Sequence, residues 1–123
     1  MEYKLRKKIT STLQEKINAL TQTGNYEEAL NTLNKIDHSS ITEQGCFAIG
    51  YLFYKLNQPD SAYYYLNRAI KSDNIYTQQS AHQALFYLSR KQKDYEKNAE
   101  YSVKLWKIND SINKIDRSKA LIE

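Results

Sequence analysis

The residues able to carry chemistry are few and scattered. His38 and His82 fall in different predicted elements, with no third ligand at metal spacing. Cys46 is the single cysteine, so neither an internal disulfide nor a cysteine-pair metal site can form. No glycine-rich phosphate loop is present, and no serine sits in a nucleophile-elbow pattern. The 14 acidic residues do not pair across any expected pocket. Acid–base, nucleophilic and metal-dependent catalysis each lack their minimal constellation. The chain is therefore expected to be non-catalytic, without metal or cofactor. What remains is aromatic and cationic. Phe47, Tyr51 and Tyr54 recur at steps of four and three with Lys55 beside them, and Tyr87 precedes Arg90 and Lys91. Aromatic area together with charge-assisted hydrogen bonds is the equipment of surface recognition.

The elements that must position these side chains are helices. Three glycines and one proline in 123 residues are too few turn formers for a sandwich of short strands. Hydrophobic residues at 41% and charged residues at 26% describe an ordinary globular balance. Eleven of the aromatics are tyrosines, which suit helix seams and binding faces alike because the ring can be buried while the hydroxyl stays wet. Leu5, Ile9, Leu13, Ile17 and Leu20 form one helical stripe that should stop near Thr23-Gly24, with Gly24 as a left-handed cap. Asn25 is placed to cap the next helix, whose first turn carries Glu27 and Glu28.

The central stretch is the most specific. Cys46, Ile49-Gly50 and Phe53 are followed, after the turn Asn57-Gln58-Pro59-Asp60, by Ala62, Leu66 and Ala69. This order of large, large-small, aromatic, then Ala and large resembles one tetratricopeptide repeat. The small pair Gly50 and Ala62 is expected to face across a close helix crossing, with Phe53 and Leu66 on either side. Gly24-Asn25-Tyr26-Glu27-Glu28-Ala29-Leu30 resembles the turn and second helix of the same repeat. In a third unit Asn98 stands in the Ala slot, Phe86 in the small slot and Ser89 in the aromatic slot, and Ala99, Val103 and Trp106 are expected to take over the inner face.

The resemblance implies a single all-α domain over 1–123: a right-handed superhelical array of about three helix hairpins plus a C-terminal capping helix. The units fall at 9–38, 42–74 and 77–109, with the terminal helix at 110–123, opening at Asp110-Ser111 unless the preceding helix runs straight through. It also implies that the first helix of each pair lines a concave groove. Helical periodicity then places Gln14 and Asn18, Phe47, Tyr51, Tyr54 and Lys55, and Tyr87, Arg90 and Lys91 on that groove, polar at one side and basic at the other.

The expected function is binding a peptide or helix of a partner protein, acidic where it meets the cations. Some family members bind chaperone C-terminal carboxylates through a Lys/Asn/Asn/Lys/Arg clamp; here only Asn18 matches, the other slots holding Gln14, Ala48, Ser80 and Ala84. The alternatives are homodimerisation through Ile108, Ile112 and Ile115, or stacking of single-stranded RNA on Tyr51, Tyr54 and Tyr87. The modest net charge of +4 and the pattern at Gly50, Ala62 and Ala69 argue against nucleic acid. No segment reaches the roughly 18 apolar residues a membrane span needs, and the basic start at Lys4 to Lys8 is not followed by an apolar run. The chain is expected to be soluble: cytoplasmic if complete, with the periplasm open if it is an excerpt. Asn109-Asp110-Ser111-Ile112 resembles the exit from the last repeat of bacterial tetratricopeptide proteins that continue into a signalling or DNA-binding module.

Overall fold

In the computed structural model, which describes residues 2–122, helices follow one another throughout the described residues. They are α1 (Glu2–Gln22), α2 (Tyr26–Leu33), α3 (Glu43–Lys55), α4 (Pro59–Ala69), α5 (Ile75–Lys91) and α6 (Tyr95–Ile122), with a 3-10 turn at His38–Ser40. No strand occurs among the described residues. Short connections make consecutive helices antiparallel neighbours, and α1 packs on α2, α3 on α4 and α5 on α6.

One turn geometry closes all three pairs. Gly24 (φ 82°), Asn57 (φ 58°) and Lys93 (φ 58°) each take the left-handed conformation. The following N–H reaches back five residues in each case: Asn25 to Leu20, Gln58 to Phe53 and Asp94 to Ser89. This is the hydrogen-bond signature of a helix stop, and glycine or asparagine tolerates it at lowest cost. Ala29, Ala62 and Asn98 each lie five residues beyond their turn, so the three pairs share one register. Pro59 then opens α4, where its missing N–H costs nothing.

Two apolar bodies form the core. Ile17, Ala29, Leu33, Ile36, Ala48, Ile49 and Leu52 join the first pair to the second. Ala62, Leu66, Ala84, Leu85, Leu88 and Tyr101 join the second to the third, with Cys46, Ala69 and Ala81 packed together alongside. Burial pushes the Cys46 thiol above its ordinary value, consistent with a small buried hydrophobe. The tightest approach is at Gly50. A Cβ built there would lie 2.8 Å from Leu66 Cγ and 3.1 Å from the Leu66 backbone nitrogen. The nearest neighbour of Gly50 across the crossing is therefore Leu66, expected to lie to its side. In the third pair the positions of Gly50 and Ala62 are held by Phe86 and Asn98, and Asn98 Nδ2 donates to the Phe86 carbonyl at 2.9 Å.

Three expectations are corrected. Leu5 and Ile9 are 60% and 49% exposed; of the expected stripe Ile17 is buried and Leu13 and Leu20 pack against the core, with Thr10, Gln14 and Thr21 buried alongside. Helix α1 is about 31 Å long and α2 about 12 Å, so α2 does not reach the first turns of α1, where Tyr3, Arg6 and Lys7 face the polar segment around the 3-10 turn. Second, Ala99, Val103 and Trp106 face outward, while α6 packs through Asn98, Tyr101, Leu105, Ile108 and Ile112. Third, no separate helix begins at Asp110. The Ser111 hydroxyl donates to the Lys107 carbonyl at 3.1 Å, and Asp110 pairs with Lys114 at 3.0 Å. Both side chains thus behave as helix-interior residues, with neither acting as a cap.

Candidate functional site

A groove of about 820 Å³ runs across α1, α3 and α5, the first helices of the three pairs. Its floor is the half-buried edge of α3, where Phe47 and Tyr54 also pack against the core shared with α5. Phe47 and Tyr51 stack with ring centroids 5.9 Å apart, and Tyr51 and Tyr54 follow at 6.1 Å. Lys55 Nζ lies 5.4 Å from the Tyr51 centroid and 5.7 Å from that of Tyr54, within cation–π range of both. Residues at i, i+4 and i+7 of one helix fall on one face, so α3 alone builds this ladder while its opposite face is locked into the core by Cys46, Ile49 and Gly50.

The α3 start is fixed from α1. Thr42 Oγ1 caps α3 by accepting from the Gly45 N–H at 3.1 Å, and it also accepts from Gln14 Nε2 at 3.2 Å. The Thr42 N–H in turn donates to Gln14 Oε1 at 3.2 Å. Gly45 makes room for this amide, because a Cβ there would fall 2.0 Å from Gln14 Oε1. Gln14 is 7% exposed and both ends of its amide are engaged. It lines the groove yet acts as a brace between helices, which corrects the expectation of an amide available to a ligand.

Of the other expected residues, Asn18, Phe47, Tyr51, Tyr54, Lys55 and Tyr87 all border the groove, and Arg90 and Lys91 do not. Lys91 sits past its end, hydrogen-bonded to Asn57 Oδ1, with Nζ 5.8 Å from the Tyr54 centroid. Glu15 and Lys55 are the charged residues of the lining. At that end Lys55 is the lining cation, while Lys91 lies just past the groove beside Tyr54, a turn beyond the α5 face that carries Ser80, Gln83, Ala84 and Tyr87. The slots of the carboxylate clamp, Gln14, Asn18, Ala48, Ser80 and Ala84, do line the groove, but they carry no cation.

The structure adds Tyr76, Asn74 and Gln44. Asn74 caps α5 by accepting from the Tyr76 and Thr77 N–H groups at 2.9 and 3.3 Å, which starts the helix two residues earlier than expected and brings Tyr76 to the groove. The signal was legible: an Asn directly before a run that continues the 76, 80, 83, 87 face.

Away from the groove, His82 is buried, and its Nδ1–H donates to the Gln78 carbonyl at 2.7 Å. Burial holds its pKa below the ordinary value, opposed by the Gln78 hydrogen bond and aided by Lys104. Among the described residues no group of three or more His, Cys, Asp and Glu is arranged to hold a metal, and no helix is long and apolar enough to cross a membrane. Comparison of the chain with protein-family models, curated proteins and solved structures returns no match.

Proposed function

We propose that the chain is a non-catalytic tetratricopeptide-type module that holds an extended segment of a protein partner in the groove of α1, α3 and α5. The observation that carries this reading is the Phe47–Tyr51–Tyr54 ladder on the floor of a groove whose walls are rich in amides. Aromatic floor and amide wall divide the work. Asn18, Gln22, Gln44 and Gln83 offer donors and acceptors to a peptide backbone, which needs both and carries no net charge. The ladder supplies desolvated area for side chains, and Lys55 favours a carboxylate at its end of the groove. The three shared left-handed turns and the common register of Ala29, Ala62 and Asn98 support a repeated hairpin. With Glu15 opposing Lys55, the groove would release few counterions from a nucleic acid, so a protein ligand suits it better.

The test is a panel of short acidic, neutral and basic peptides measured against the isotopically labelled chain. Amide shifts confined to α1, α3 and α5 are expected. Tyr51→Ala should weaken the best ligand by about 2 kcal/mol, roughly 30-fold. Binding that ignores Tyr51, or shifts only on α2, α4 and α6, refutes the assignment.

A further inference from the structure

Both outer helices of the array leave a face uncovered. Counting back from α5 through the shared register, Ala81, Leu85 and Leu88 correspond to Gly45, Ile49 and Leu52 on α3, all of them buried. Their counterparts on α1 are Thr12, Lys16 and Ala19, all exposed. Nearer the start of α1 the same face carries Leu5 and Ile9, which are exposed as well. On α6 the uncovered face is apolar through its middle. On α4, Tyr63 and Ile70 pack against the core shared with α5. Their counterparts on α6 are Ala99 and Trp106, which with Val103 make an uncovered apolar stripe. Trp106 is 68% exposed and Val103 55%. The other apolar edge of α6 is already used: Ile112 is 7% exposed, so a dimer through Ile108, Ile112 and Ile115 would first have to pull α6 from α5.

We infer that the Ala99–Val103–Trp106 face is covered by α6 of a second copy, packed antiparallel about a two-fold axis near Ser102. Charge placement selects this occupant. Glu96 flanks the N-terminal half of the stripe, and Lys107 flanks its C-terminal half on the same side. Among the described residues the ion pairs are Lys97–Asp94 and Lys114–Asp110, so neither of these two is engaged. Reversing one helix against its copy sets Glu96 beside Lys107 of the partner subunit. The pair occurs twice, as an isologous interface requires. Ala99 lets the helices approach, and Trp106 and Val103 supply the buried centre.

The chain carries its own reporter, because Trp106 is its single tryptophan. Sedimentation and fluorescence over a concentration series should show a monomer–dimer equilibrium, with the emission of an exposed indole moving to the blue as dimer forms. Val103→Glu should raise the dimer dissociation constant roughly 30-fold or more while leaving helicity intact. Glu96→Lys should weaken the dimer, and Glu96→Lys combined with Lys107→Glu should restore it, since only an antiparallel pairing brings these positions together. Tyr51→Ala should leave dimerisation unchanged, which separates this inference from the groove reading. A chain that stays monomeric at every concentration overturns it. So does a dimer indifferent to Val103→Glu, or one that the double exchange fails to rescue.

Discussion

Replacing Gly50 by alanine tests the central helix crossing more sharply than any larger change. A glycine within a solvent-facing helix would gain about 1 kcal/mol on becoming alanine, because alanine loses less backbone entropy. At Gly50 the new Cβ would stand 2.8 and 2.9 Å from Leu66 Cγ and Cδ2 and 3.1 Å from the Leu66 nitrogen. Leu66 is wholly buried and cannot swing clear, and the backbone contact yields only if α3 and α4 move apart. Overpacking of this kind costs about 1–3 kcal/mol, so the net loss should be about 0–2 kcal/mol. For a chain of this length that is a fall of up to about 8 °C in the melting midpoint. Gly50→Leu should exceed it clearly. The decisive assay is a double-mutant cycle read by urea denaturation. Leu66→Ala alone should cost about 2–5 kcal/mol, and adding Gly50→Ala should then be neutral or stabilising, because the methyl enters vacated space. A coupling energy near zero, or a Gly50→Ala chain that melts higher than the parent, would refute the close crossing.

Three further outcomes are expected. Gly45→Ala should displace the Gln14 side chain and break its two hydrogen bonds to Thr42. It should therefore cost little more in a Gln14→Ala background than the cap strain alone, as a thermal-melt cycle would show. His82 has a folded pKa below the ordinary 6.5, so the unfolded chain binds the extra proton. Stability from this group is present above about pH 6.5 and declines as pH falls towards the folded value, and His82→Gln should flatten urea midpoints between pH 7 and 5. Finally, amide exchange should be fast over residues 2–9 of α1 and 113–122 of α6, which are exposed along their length, and slow at Ile49, Leu66 and Leu85. Uniform protection along either terminal stretch would mean that something covers it.

The amino-acid sequence by itself determined the helical elements, the turns between them and the aromatic stripe of α3 that floors the groove. Each of these depends on neighbours within a turn or two: Gly24 and Asn57 tolerate a left-handed backbone, Pro59 can only begin a helix, and the spacing of Phe47, Tyr51 and Tyr54 makes one stripe. Only the tertiary structure decided which stripe of a helix is buried when two compete. On α1, Leu5 and Ile9 continue an apolar pattern that α2 is too short to cover. On α6, the polar Asn98 sets the register, and the more apolar Ala99, Val103 and Trp106 are left outside. Local pattern could not foresee this, because Asn98, half-buried, is turned inward by its hydrogen bond to the Phe86 carbonyl, a group twelve residues away. The same holds for Gln14: its amide reads as a ligand contact until Thr42, 28 residues on, takes both of its ends. Burial belongs to whatever the fold brings opposite a side chain, and the identity of that neighbour is a property of three dimensions.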